Sequence, residues 1–81
     1  MINKRVLINS DSWTLLTDKA SLLQFNGDAY MYISDVANVP AGSVGFTMTK
    51  GEKYISSTEG IYVYSKSAPS ADVYSVTVLE V

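Results

Sequence analysis

Apolar and polar side chains alternate in short runs along this chain, and small or polar clusters separate the runs. Ala29-Tyr30-Met31-Tyr32-Ile33, Val44-Gly45-Phe46-Thr47-Met48, Tyr54-Ile55-Ser56 and Ile61-Tyr62-Val63-Tyr64-Ser65 are the clearest of them. Asn26-Gly27-Asp28, Pro40-Ala41-Gly42-Ser43, Lys50-Gly51-Glu52 and Glu59-Gly60 stand between or beside them. A period of two sends successive side chains to opposite faces of a strand. In Ala29–Ile33 this sets Ala29, Met31 and Ile33 against Tyr30 and Tyr32. In Ile61–Ser65 it sets Ile61 and Val63 against Tyr62 and Tyr64. No sustained 3.6-residue period occurs, so little helix is expected.

The flanks extend the same pattern. Val6-Leu7-Ile8 predicts a first strand, with Met1–Arg5 as a flexible arm ahead of it. Ser12–Thr17 predicts a second, with Trp13 and Leu15 on one side, Thr14 and Leu16 on the other, and Trp13 anchoring one end of the core. Ala20–Asn26 is too short between turn signals for a stable helix and reads as a strand. Asn26-Gly27 is a strong signal for a type I′ hairpin, so Leu22–Phe25 is expected to pair with Tyr30–Ile33. Ser34–Ser43 is the longest irregular stretch, broken by Pro40 and Gly42. It reads as a crossover between sheets or as a functional loop. Thr49–Glu52 predicts a tight turn with Gly51 at positive φ, after which Lys53–Ser57 pairs back on Val44–Met48. Ser57–Gly60 predicts another turn. Lys66–Ala71 reads as a loop, and Asp72–Val81 as the last and longest strand. Its Tyr74, Val76 and Val78 share one face, with Glu80 at the end, and Val73, Ser75, Thr77, Leu79 and Val81 share the other. Seven to eight short strands at intervals of about 8–12 residues predict an all-β fold, a small antiparallel β-sandwich or barrel.

Composition narrows what such a fold can do. The 81 residues form one domain, 1–81. A core of this size rarely supplies more than about 3–5 kcal/mol of net stability. Cysteine and histidine are both absent. A disulfide and the commonest zinc ligands are therefore ruled out as reinforcement. Association with other subunits is the reinforcement left, and a homo-oligomer is expected. Only 17% of residues are charged, against 47% hydrophobic, which fits a surface partly covered by other protein. The net charge is −2 and Lys4-Arg5 is the one basic cluster. Nucleic-acid binding led by phosphate contacts needs a larger basic patch and is not expected. No run approaches the roughly 20 apolar residues of a membrane helix. The short apolar run after Lys4-Arg5 falls below the about 7–15 residues of a secretory signal. Synthesis in the cytoplasm without a targeting signal is expected.

Candidate chemistry is sparse. The acids Asp11, Asp18, Asp28, Asp35, Asp72, Glu52, Glu59 and Glu80 fall mostly in predicted turns, where such residues solvate and cap the backbone. No loop gathers enough of them for calcium, and no glycine-rich loop precedes a helix. The chain reads as a non-enzyme with no metal and no cofactor.

The tyrosines are the unusual feature, six in all. Tyr30, Tyr32, Tyr62 and Tyr64 lie at two-residue spacing on two predicted strands, and form a ladder on one face if those strands are close in a sheet. Three readings follow: a protein contact, for which tyrosine is suited, a sugar-stacking platform, or ordinary cross-strand packing. The contact reading places Tyr30, Tyr32, Tyr62 and Tyr64 in an oligomer or lattice interface. The 36–43 loop lies beside them, with Val36, Val39 and Pro40.

The order of these pieces resembles a known group. Trp13 precedes a small-residue strand, Ala20–Asn26. Pro40-Ala41-Gly42 runs into Gly45-Phe46-Thr47-Met48-Thr49-Lys50-Gly51-Glu52. Gly60-Ile61-Tyr62-Val63-Tyr64-Ser65 follows, then a valine-rich closing strand, 73–81. This resembles the short β-rich virion proteins encoded near the head and tail genes of tailed bacteriophages, over residues 12–81. The resemblance is carried by turns and strands and brings no binding residue with it. It implies a structural virion protein that decorates or cements the capsid, or forms part of a head fibre or tail adaptor. It also implies a virion location, a trimer as the favoured oligomer, and the major capsid protein or another virion protein as partner. The alternative expectation is a carbohydrate-binding module or receptor-binding tip.

Overall fold

The computed structural model describes residues 2–56, 59–69 and 74–80. Met1, Ser57-Thr58 of one expected turn, Ser70-Ala71 of an expected loop, and Asp72, Val73 and Val81 of the last expected strand lie outside these ranges. The described residues form eight strands: β1 (Ile2–Ile8), β2 (Thr14–Thr17), β3 (Ser21–Phe25), β4 (Ala29–Ser34), β5 (Phe46–Met48), β6 (Lys53–Ser56), β7 (Tyr62–Ser67) and β8 (Tyr74–Glu80). They form two four-stranded antiparallel sheets. Sheet I has the order β1-β8-β3-β6, and sheet II the order β2-β7-β4-β5. The all-β sandwich expected from the alternation is the fold.

The pairing follows a single rule. β1 pairs with β8, β2 with β7, β3 with β6, and β4 with β5. This is one long hairpin rolled up so that β3 also meets β8 and β4 also meets β7. The result is the strand order of a jelly roll. Every connection except β4–β5 passes from one sheet to the other.

That rule overturns two expected hairpins. β3 lies in sheet I and β4 in sheet II, so Asn26-Gly27 joins two layers and closes no hairpin. Neither residue has the positive φ of a type I′ turn. Asn26 instead continues the hold on β8. Its backbone N–H donates to the Ser75 carbonyl at 3.1 Å, and its side-chain amide donates to Ser75 Oγ at 3.0 Å and Thr77 Oγ1 at 3.1 Å. Glycine follows because of space. A Cβ on Gly27 would lie 2.2 Å from Cγ of Tyr74. The second correction concerns β5 and β6. The 49–52 turn forms, with the Glu52 N–H donating to the Thr49 carbonyl at 3.0 Å and Gly51 at φ 90°. It too links the two sheets, and the Gly51 N–H then bonds the Phe25 carbonyl at the end of β3 at 2.7 Å.

The amino-terminal residues differ as well. Ile2–Arg5, expected as an arm, belong to β1 and pair in unbroken register with Glu80–Thr77. Lys66 and Ser67, expected in a loop, extend β7.

The core lies between the sheets. Ile8, Leu23, Phe25, Val76 and Val78 come from sheet I, and Leu16, Ala29, Met31, Met48 and Val63 from sheet II. Full burial of each of these side chains except Ala29 contributes about 1.5–3 kcal/mol, before the entropy of ordering it is subtracted. The register of β2 on β7 shifts between Leu15 and Thr17, and both Leu16 and Thr17 are buried there. A polar row crosses the inner face of sheet I at one end, where Glu80, Ser21 and Ser56 stand side by side. Glu80 accepts a hydrogen bond from Thr17 at 3.2 Å, and its other oxygen lies 3.4 Å from Lys4 Nζ. A carboxylate turned into a sandwich needs such partners, because an unpaired buried charge is costly.

Candidate functional site

The outer face of sheet II carries four of the six tyrosines. β4 alternates strictly, with Ala29 and Met31 buried in the core, so Tyr30, Tyr32 and Ser34 point away from it. β7 does the same: Val63, Ser65 and Ser67 are buried, and Tyr62, Tyr64 and Lys66 take the other side. The antiparallel register then sets Tyr32 opposite Tyr64, Ser34 opposite Tyr62, and Tyr30 opposite Lys66. Thus Tyr30, Tyr32, Tyr62 and Tyr64 share one face. On β5, Thr47 stands opposite Tyr30; on β2, Leu15 stands opposite Tyr64.

Trp13 completes this face and leaves the position expected for it. Alternation from Thr14, opposite buried Ser65, turns Trp13 outward, and it is not among the core residues. Its ring lies 5.9 Å from that of Tyr32 at an interplanar angle of 54°, and Lys66 Nζ sits 4.9 Å from its centroid. Tilted aromatic pairs and cations over indole are each worth about 0.5–1.5 kcal/mol. The far edge of the indole reaches Gly45, just before β5. A Cβ there would lie 3.1 Å from Cη2 of Trp13 and 2.5 Å from the Met31 carbonyl oxygen. Trp13 therefore spans the sheet from its β2 edge to its β5 edge. Tyr64, on the same face, is 9% exposed, although it lies outside the central core cluster. The face is a small apolar cluster of its own on the outside of the sandwich.

The loop that holds Val36, Val39 and Pro40 joins β4 to β5. The loop leaves β4 at Ser34, whose hydroxyl accepts the Val36 N–H at 3.1 Å. A turn at 40–43 is closed by the Ser43 N–H and hydroxyl on the Pro40 carbonyl, at 3.2 and 2.7 Å. Val36 and Pro40 are exposed and Val39 is half-buried. The loop returns at Gly45 under Trp13. It bridges neighbouring strands of one sheet, unlike the crossover considered from sequence. Exposed Leu15, Val36, Val44 and Phe46 add apolar surface to sheet II and this loop.

Two residues of the face lay outside the sequence expectation. Lys66 was placed in a loop, yet Tyr62, Tyr64 and Lys66 continue one period of two. Trp13 was placed in the core, yet it alternates with Leu15, which is 44% exposed. Among the described residues, no three acids gather where a metal ion could be held. The face brings together five aromatic rings and one cation, Lys66.

The chain matches no protein-family model, no curated protein and no solved structure.

Proposed function

We propose that this chain is a structural virion protein of a tailed bacteriophage, which decorates or cements the capsid or forms part of a head fibre or tail adaptor. It acts through protein contacts made by the outer face of sheet II. The observation that carries this reading is the cluster of Trp13, Tyr30, Tyr32, Tyr62 and Tyr64 on one solvent-side sheet face. Tyrosine and tryptophan are enriched in the buried centres of protein interfaces, where their polar tips can still find partners. The jelly-roll order adds support by analogy, since viral capsid domains use it, although a fold alone does not assign a function. On this reading the chain self-associates, with a trimer favoured, and docks on the major capsid protein or another virion protein. It is made in the host cytoplasm, acts without a cofactor or catalysis, and has no membrane or nucleic-acid partner.

A sugar-binding module is the second reading, favoured by the half-buried Tyr30 and Tyr62 on a flat face and by the use of jelly rolls in lectins. Lys66 already occupies the position above the Trp13 ring, where a sugar would stack, and this counts against it. The test is antibody labelling and mass spectrometry of purified particles from the source phage. Stoichiometric incorporation on the particle surface is expected. Particles that lack the chain, together with glycan binding that Tyr30→Ser abolishes, would transfer the assignment to the second reading.

A further inference from the structure

A sandwich of two open sheets has four edge strands, and an open edge presents unpaired N–H and C=O groups to any passing strand. Three edges here are blunted. β5 has three residues and β6 has four, and β2 is interrupted by the register shift after Leu15. β1 is different. It has seven residues, and all seven pair with β8 without a bulge. Its two ends carry exposed apolar side chains, Ile2 (56%) on the face of Lys4 and Leu7 (67%) on the face of Arg5. It also holds Lys4-Arg5, the one basic cluster of an acidic chain. Lys4 points inward and is tied to Glu80 at 3.4 Å. Arg5 points outward, beside neutral Thr77 of β8, and is exposed.

Charge decides what this edge can accept. Antiparallel pairing of β1 with a second copy over its whole length sets Ile2 opposite Ile8, and so sets the two Arg5 guanidiniums directly opposite each other. The smallest slip that keeps inner and outer faces aligned brings the two Lys4 side chains together. The slip in the other direction pairs residues 4–8, as many as the first slip pairs over 2–6, and sets Val6 opposite Val6 with no like charges together. Like charges directly opposite destabilise a strand pair, and opposite charges stabilise it. We propose that the free edge of β1 accepts an additional strand from an acidic extended segment of a partner protein, and that Arg5 selects this strand and disfavours full-length pairing with a second copy of the chain. Backbone hydrogen bonds supply the attraction, and alternate side chains supply the choice. This surface is separate from the aromatic face of sheet II, and the inference stands whether or not that face binds a capsid.

The experiment uses the isotope-labelled chain and two blocked seven-residue peptides of alternating threonine and valine, one with glutamate at its centre and one with lysine. Amide shifts and hydrogen exchange are followed by NMR. The glutamate peptide is expected to shift and protect alternate amides of Ile2–Ile8, and to bind about fivefold more tightly than the lysine peptide. Arg5→Glu, an exposed substitution, is expected to reverse that order. Absence of β1 shifts with the glutamate peptide, equal affinity for the two peptides, or an order unchanged by Arg5→Glu overturns the proposal.

Discussion

Gly27 offers a sharp test of how the layers are joined. It is buried, has no positive φ, and lies against the ring of Tyr74. A Cβ built on it meets Cγ, Cδ2 and Cδ1 of that ring at 2.2, 2.3 and 2.5 Å. Carbon atoms pack at about 3.5–4.0 Å, so the ring must retreat by more than about 1 Å. Tyr74 cannot move freely, because it is half-buried against the core and lies beside Ile8 in the sheet register. Overpacking of this kind costs about 1–3 kcal/mol. The loss of backbone freedom in the unfolded chain offsets about 0.4–1 kcal/mol of that. Gly27→Ala is therefore expected to destabilise by about 1–2 kcal/mol, or roughly 4–16 °C in Tm for a domain of this size. Urea unfolding of Gly27→Ala, Tyr74→Ala and the double variant would close a double-mutant cycle. In the Tyr74→Ala background the alanine should be neutral or stabilising, for a coupling of at least about 1 kcal/mol. An equal cost in both backgrounds refutes the reasoning. It would mean that the backbone demands the glycine, as a hairpin turn does, and that the ring does not.

Other consequences follow from the polar end, the turn and the aromatic face. Lys4→Met leaves the Glu80 carboxylate, whose side chain is 8% exposed, without its cation. It should cost about 1–3 kcal/mol by thermal denaturation, whereas Glu80→Gln should cost about 1 kcal/mol or less. The Thr49 hydroxyl and backbone N–H, at 2.6 and 2.8 Å, hold the Glu52 carboxyl below its ordinary pKa. A depressed carboxylate stabilises the fold above the unfolded value of about 4.3 and loses that contribution as pH falls through the folded value. NMR titration should place the Glu52 midpoint below that of the unfolded chain, and Thr49→Val, which removes the hydroxyl bond and keeps the backbone one, should raise it part of the way back. Trp13→Ala should cost less than Phe25→Ala in chemical denaturation, although tryptophan is the larger side chain. Phe25 is wholly buried and its truncation should cost about 3–5 kcal/mol.

The strands were legible because their signal is local. Alternation alone separated Tyr74, Val76 and Val78 from Ser75, Thr77 and Leu79, and it put Tyr30 beside Tyr32 on one side of β4. Sheet membership was not legible in the same way. A turn such as Asn26-Gly27 says that the chain reverses, not whether the next strand returns to the same sheet. The partners that decide this are Ser75, Thr77 and Tyr74, far downstream on β8. The same long range hid β1, since the strand character of Ile2–Arg5 comes from pairing with the other end of the chain. Trp13 shows the remaining gap. Its alternation with Leu15 was readable, but which side of β2 is the inside depends on where sheet I packs. A lone tryptophan looks like core until Leu16, Thr17 and the register shift between Leu15 and Thr17 are placed.

The claim that the aromatic face of sheet II is a contact surface between protein subunits is tested most directly by light scattering coupled to size-exclusion chromatography. The wild-type chain is compared with the Tyr30→Ser/Tyr62→Ser double variant, both verified as folded. The wild type is expected at the mass of three chains and the variant as a smaller species. A wild type that remains a folded monomer at high concentration, or a variant whose mass is unchanged, contradicts it.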